Sequence, residues 1–120
     1  MIARLNQQAL ELQQFAGGTS NWYRHQMTGF LYTDGVRYVA NEAGAYWLLD
    51  SIFLAQFLIP EEMRNFQVWL LVVSKRQRAR LICHDGNGRR LYSQCLPSTD
   101  FPHRITLWME GDTLLLPCEH

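Results

Sequence analysis

The stretch Tyr32–Asp50, YTDGVRYVANEAGAYWLLD, decides the fold. Asp34-Gly35 stands between two runs of β-formers, which is the signature of a two-residue type I′ hairpin turn. Phe30–Thr33 and Val36–Ala40 are the expected arms, with Tyr32 opposite Arg37 and Leu31 opposite Tyr38. A helix is expected from about Glu42 to Leu58, with Asn41 as its N-cap and Glu42 in the first turn, where a negative charge suits the helix dipole. At about 100° per residue, Tyr46, Trp47, Leu48, Leu49, Ile52, Phe53 and Leu54 cover most of the circumference. Such a helix is buried on most sides, so a sheet curled around it is the expected arrangement. Pro60 stops it.

Upstream, Leu5, Ala9, Leu12 and Phe15 recur at helical spacing in LNQQALELQQFA, and Gly17-Gly18 ends that pattern. Asn21–Gln26 reads as a short strand, placing Trp22 and Arg24 on one face, Tyr23 and His25 on the other. Downstream, Phe66–Ser74 is apolar on both faces from Val68 on and reads as a central strand. Arg78–Asp85 and Arg89–Cys95 flank a Gly-Asn-Gly turn, with Asp85 opposite Arg90 if Asn87-Gly88 forms the loop. Pro97 and Pro102 bracket a loop in which Asp100 is expected to cap its own turn. Arg104–Glu110 and Thr113–Leu116 form a last hairpin over Gly111-Asp112. The order helix, strands, helix, then strands implies an α+β fold: N-terminal helix, β-hairpin, buried central helix, and a curled antiparallel meander.

The 120 residues are expected to form one domain, 1–120, large enough to bury a real core. With 48% hydrophobic and 18% charged residues the chain is an ordinary folded protein. Eleven cations balance eleven acids, so no net field draws in nucleic acid or an anionic membrane. The three cysteines, Cys83, Cys95 and Cys118, are odd in number and unpatterned. With no signal peptide and no membrane span legible, reduced thiols in a cytoplasmic protein are expected.

Asp50 is the most informative polar residue. It is surrounded at helical spacing by Tyr46, Trp47, Phe53 and Leu54, so it needs a partner. Arg24, His25 and Arg37 are the candidates. A structural tie between helix and sheet is the favoured reading; a tuned acid or base in a cleft is the other. The candidate pocket is Arg24, His25, Asp34, Arg37, Tyr46 and Asp50. Asp34, Glu42, Asp50 and Asp100 are the four acids not obviously needed for solubility.

The span 75–90 concentrates charge: Lys75, Arg76, Arg78, Arg80, Arg89 and Arg90 against Asp85 alone, leaving five cations against ten acids elsewhere. The basic residues Arg76, Arg78, Arg80, Arg89 and Arg90 would form a docking patch for a phosphate backbone or an acidic partner. Protection of an edge strand by charge is the slightly favoured alternative. Tyr92 is the patch's sole aromatic neighbour, so base stacking is not suggested. The Cys and His residues lack metal-ligand spacing, and no nucleophile elbow, phosphate loop or dinucleotide fingerprint is present, so no metal or cofactor is expected.

The segments Tyr23–His25, Tyr32–Tyr38, Ala45–Asp50, Thr99–Pro102 and Leu114–Glu119 together resemble a small uncharacterised bacterial family. It is a domain of unknown function of about this length, found in cyanobacteria and other bacteria and sometimes on mobile elements. The resemblance runs from Thr19 onward and implies a complete domain but no activity. The Pro117-Cys118-Glu119 tail departs from the family's Pro-Ser-Glu form, which speaks against a special role for Cys118. The leading expectation is a non-enzymatic domain that binds a protein or other macromolecule, with homo-oligomers an open option. A small hydrolase or nuclease around Asp50 and His25, and nucleic-acid binding through the Arg hairpin, are the alternatives.

Overall fold

The computed structural model describes residues 10–120. Seven strands form one open sheet: β1 (Trp22–Arg24), β2 (Leu31–Thr33), β3 (Phe66–Val73), β4 (Ala79–His84), β5 (Arg90–Leu96), β6 (Ile105–Glu110) and β7 (Thr113–Leu115), in the order β1-β2-β7-β6-β3-β4-β5. All neighbours are antiparallel except β2 and β7, which run parallel. Two helices, α1 (Asp34–Glu42) and α2 (Tyr46–Ala55), pack on one face. The α+β class is as expected; the sheet is mixed and does not close around a helix.

The largest departure lies in the deciding stretch. Asp34-Gly35 is no hairpin turn but the first turn of α1. Thr33 is extended and its hydroxyl accepts from the Val36 amide at 3.3 Å, capping the helix, while Asp34 supplies an acid to the first turn. Val36, Val39 and Ala40 then fall on one buried face at helical spacing. A type I′ turn needs positive φ at both central residues, and Gly35 is helical instead. The expected pairs Tyr32–Arg37 and Leu31–Tyr38 therefore do not exist; Tyr32 pairs with Tyr23 on β1 and Leu114 on β7.

The expected Glu42–Leu58 helix is likewise divided. Gly44, at φ +60°, ends α1: its amide bonds the Asn41 carbonyl at 3.4 Å and the Ala45 amide bonds the Ala40 carbonyl at 2.8 Å, a Schellman stop. Asn41 and Glu42 thus close α1 rather than open α2. After Ala55 the chain tightens into a 3₁₀ turn at Gln56–Leu58 before Pro60. The Leu5–Ala16 helix falls partly outside the described residues; within them, Leu12–Phe15 is a single 3₁₀ turn.

The strand run after Pro60 follows the sequence closely. β3 is central, flanked by β4 and β6, with Gln67, Trp69 and Leu71 toward the helices. Leu81, Leu107, Met109 and Leu114 join that layer beneath Val36, Leu48, Leu49, Ile52 and Phe53. Each such side chain contributes roughly 1.5–3 kcal/mol on burial. A polar network crosses this core: the Trp69 indole and the Gln56 amide both donate to Gln67 Oε1 at 2.8 Å. The other face of the sheet carries half-buried Val68, Leu70 and Val72, uncovered by helices. Asp85 opposes Arg89, not Arg90, because the turn takes three residues and a bulge follows Cys83.

Candidate functional site

The β1–β2 turn and the outer face of α2 meet at a side-chain chain of three. His25 Nε2 lies 2.7 Å from Asp50 Oδ1, and His25 Nδ1 lies 2.8 Å from the Thr28 hydroxyl. One tautomer satisfies both contacts: Nε2–H donates to the carboxylate and Nδ1 accepts from the hydroxyl. The histidine is buried, with its ring 4.9 Å from that of Phe53, whereas the Asp50 side chain is half open.

Hydroxyl, imidazole and carboxylate in series have the composition of a hydrolytic triad. The access is wrong for that role. A cleft of about 380 Å³ opens on Asp50, lined by Arg24, His25, Met27, Tyr32 and Tyr46, and Thr28 does not line it. Thr28 instead closes its own turn, its oxygen facing the Phe30 amide at 3.4 Å. The arrangement ties the β1–β2 turn to α2 through Asp50 Oδ1, and Oδ2 takes no hydrogen bond among the described residues.

Of the candidate pocket, Arg24, His25, Tyr46 and Asp50 share this cleft, while Asp34 and Arg37 line a neighbouring one with Tyr23 and Tyr38. Tyr23 is the hinge of the second cluster. Its hydroxyl donates to Asp34 Oδ1 at 2.9 Å and accepts from Arg37 at 3.3 Å, and the guanidinium stacks 4.6 Å from the ring centre. Asp34 Oδ2 also accepts from the Ser20 and Asn21 amides at 3.0 and 3.2 Å. These bonds, the Ser20 amide foremost, hold its pKa down to about 2. The Tyr23 hydroxyl raises the Arg37 pKa. Burial raises that of Tyr32, with Tyr46 adding to it.

Beyond the Asp50 cleft lies exposed apolar surface. Met27 is 69% exposed, Phe57 62% and Leu58 73%, with Leu54 one turn from Asp50 on α2. Phe30 stacks on buried Phe53 at 5.5 Å and touches Phe57 at 6.1 Å, so the patch is anchored to the core. Sequence reading missed this patch because it took α2 as buried on most sides. The signal was present: Phe57-Leu58 directly precedes Ile59-Pro60, where no further helical turn can cover it.

The basic residues do not form one patch. Arg78 and Arg80 stand near the start of β4 with Lys75 and Arg76 in the turn before it, whereas Arg89 and Arg90 lie at the far end of the β4–β5 hairpin. β4 is also not an edge; β5 is. Tyr92 faces the opposite side, against Trp69 at 5.7 Å. Asp100 does not cap its loop, since the Phe101 amide bonds the Thr99 hydroxyl instead. Glu42 and Asp100 face each other across a shallow cleft between the α1–α2 connection and that loop. Among the described residues no group of three or more Cys, His, Asp or Glu side chains could hold a metal ion, and no helix is long and apolar enough to cross a membrane.

Fold and site together define a small two-layer α+β domain with a histidine–aspartate tie beside an exposed apolar patch. The chain belongs to DUF6876, a family of unknown function, whose model matches residues 6–120. It is similar to the crystal structure of a protein of unknown function from Enterococcus faecalis, with a TM-score of 0.54 over 93% of this chain and 98% of that one. At 21% identity, that likeness shows a shared fold. No curated protein matches the chain.

Proposed function

We propose that this is a non-enzymatic binding domain that docks a protein partner on the patch formed by Met27, Phe30, Leu54, Phe57 and Leu58 beside Asp50. The carrying observation is where exposed apolar surface lies. Of the six large hydrophobic side chains exposed among the described residues, Met27 and Tyr46 line the Asp50 cleft, Leu54 stands one turn beyond Asp50 on α2, Phe57 packs on Phe30 with Leu58 next to it in the chain, and Trp22 is the exception. Contiguous exposed apolar surface with a polar rim is the mark of a docking site. Acids stand beside the patch: Asp50 Oδ2 takes no hydrogen bond among the described residues, and exposed Glu61 and Glu62 follow shortly after Leu58. Two cations stand near the patch, and both guanidinium groups are held by backbone: Arg24 by the Gly29 carbonyl at 3.2 Å and Arg64 by the Ile59 carbonyl at 3.1 Å. The partner that fits is an apolar segment flanked by lysine or arginine.

The test is affinity capture from the native host, comparing the natural chain with Phe57→Glu/Leu58→Glu. A partner captured by the former and lost by the latter, with affinity falling as salt is added, supports the reading. A captured set unchanged by the substitutions would sink it. So would sedimentation showing a dimer that the same substitutions dissociate, which would make the occupant a second copy of the chain.

A further inference from the structure

The β3–β4 turn carries a second surface, separate from the Asp50 patch and standing without it. Lys75, Arg76, Arg78 and Arg80 line a groove of about 810 Å³ whose apolar floor is Val72 and Pro97. None of these four cations makes an ion pair or a side-chain hydrogen bond among the described residues. Four like charges held close together without counter-charges raise a positive potential at the groove mouth and work against folding.

The turn that presents them is held in place from both ends. Ser74 Oγ accepts from the amides of Arg76 and Arg78 at 3.3 and 3.2 Å. Gln77 sits at φ +57°, a left-handed conformation costly for a side chain of its kind. Its carbonyl accepts from the Thr99 amide at 2.7 Å, and its side-chain amide donates to the carbonyls of Thr99 and Phe101 at 3.0 and 3.4 Å. That clamp fixes the strained residue, and the cations flanking it are splayed outward. Strain sustained by specific partners beside an unpaired charge cluster points to function.

We infer that the groove takes an extended acidic segment of a protein, with carboxylates meeting the four cations and apolar side chains seated on the aliphatic floor. The floor continues into Val72, Leu70 and Val68 along the uncovered face of β3, which gives such a segment apolar surface beyond the groove. A phosphate backbone would meet the same charges. However, the groove is lined by no aromatic ring on which bases could stack, and its aliphatic floor would be left unused.

A random dodecapeptide display library panned over the full chain tests this, with enriched peptides then synthesised with a fluorescein label. Enriched sequences should interleave Asp or Glu with Leu, Val or Phe. Their affinity should fall about tenfold or more for Arg78→Ala/Arg80→Ala, since paired interfacial charges of this kind are worth that much. The variant should melt at or above the natural temperature, because the replaced side chains are exposed and unpaired and their removal relieves like-charge repulsion. Exposed Cys95 lines the groove, so bound peptide should slow its alkylation by N-ethylmaleimide. Five outcomes overturn the inference: no enrichment, enriched peptides without acids, binding indifferent to the two arginines, binding that leaves Cys95 unprotected, or displacement of the peptide by a dT20 oligonucleotide that binds more tightly.

Discussion

The Glu119 carboxylate lies across the first turn of α1, with Oε2 accepting from the Gly35 amide at 3.0 Å. Oε1 accepts from the Thr33 hydroxyl at 2.6 Å and the Leu116 amide at 2.9 Å. The end of the described chain therefore caps a helix that begins some 85 residues earlier, placing a negative charge where the macrodipole favours it. A Cβ on Gly35 would stand 2.6 Å from Leu116 Cδ1 and 2.7 Å from Glu119 Oε1. Gly35→Ala should gain about 1 kcal/mol of helix propensity and lose more, about 1–3 kcal/mol, to overpacking. Glu119→Ala should cost about 1–3 kcal/mol by stripping three donors of their acceptor. Urea unfolding measures both, and an unchanged midpoint for Glu119→Ala would contradict the cap.

The histidine–aspartate tie makes a graded prediction. In Asp50→Asn the amide oxygen can still accept from His25, but the charge is gone, so a loss of more than about 1 kcal/mol is expected. His25→Ala should cost more, about 2–4 kcal/mol, because it also empties the space beside Phe53. If Asp50→Asn melts at the natural temperature, the carboxylate is solvated and the tie is not a structural one.

Asp34 governs the acid limb of stability. Its carboxyl titrates near 2 in the folded chain against an ordinary 3.8, so the unfolded chain takes up the proton first. The contribution is complete above the unfolded value and is lost as pH falls through about 4 toward 2. Asp85, lowered chiefly by the Asn87 amide, acts in the same direction. Protection of the Ser20 and Asn21 amides, taken relative to their intrinsic exchange rates at each pH, should fall over that window, and Asp34→Asn should flatten the response there. Protection factors that stay constant between pH 4 and 2 would show that Asp34 does not hold the 19–23 segment.

What the sequence conceals follows from where the information sits. The strands after Pro60 were legible because their apolar pattern and turn residues are local, and Gly111-Asp112 closes β6 onto β7 as expected. Asp34-Gly35 misled because two local signals compete: Asp-Gly as a hairpin turn, and Thr33-Asp34 as a cap and first helical residue. The deciding group, Glu119, lies far along the chain and is invisible to local reading. Gly44 did carry a helix-stop signal, but it was submerged in the apolar run that follows. The His25–Asp50 pairing was legible as one of three options, since an aspartate among aromatic neighbours must find a donor. The separation of Arg37 into its own cluster was not, because it depends on α1 being a helix.

The three thiols should react in an order set by burial. Cys95 is exposed on the edge strand β5, and Cys118 is half-buried with its thiol donating to the Leu12 carbonyl at 3.5 Å. Burial, with Glu119 adding to it, raises the Cys118 pKa. Cys83 is fully buried, and burial, then the charge of Asp85, push its thiol up to about 12. Thiolate is the reactive form, so at pH 8 a disulfide reagent should label Cys95 first and Cys118 more slowly. Cys83 faces the helices from β4, which lies between β3 and the edge strand β5, and its side chain is covered by the helix layer rather than by β5. Its labelling should require global opening and should accelerate with urea along the unfolding free energy. Native-state labelling of Cys83 at the rate of Cys118 would mean that the β4–β5 edge of the sheet opens on its own, and the groove beside it could not then be preformed.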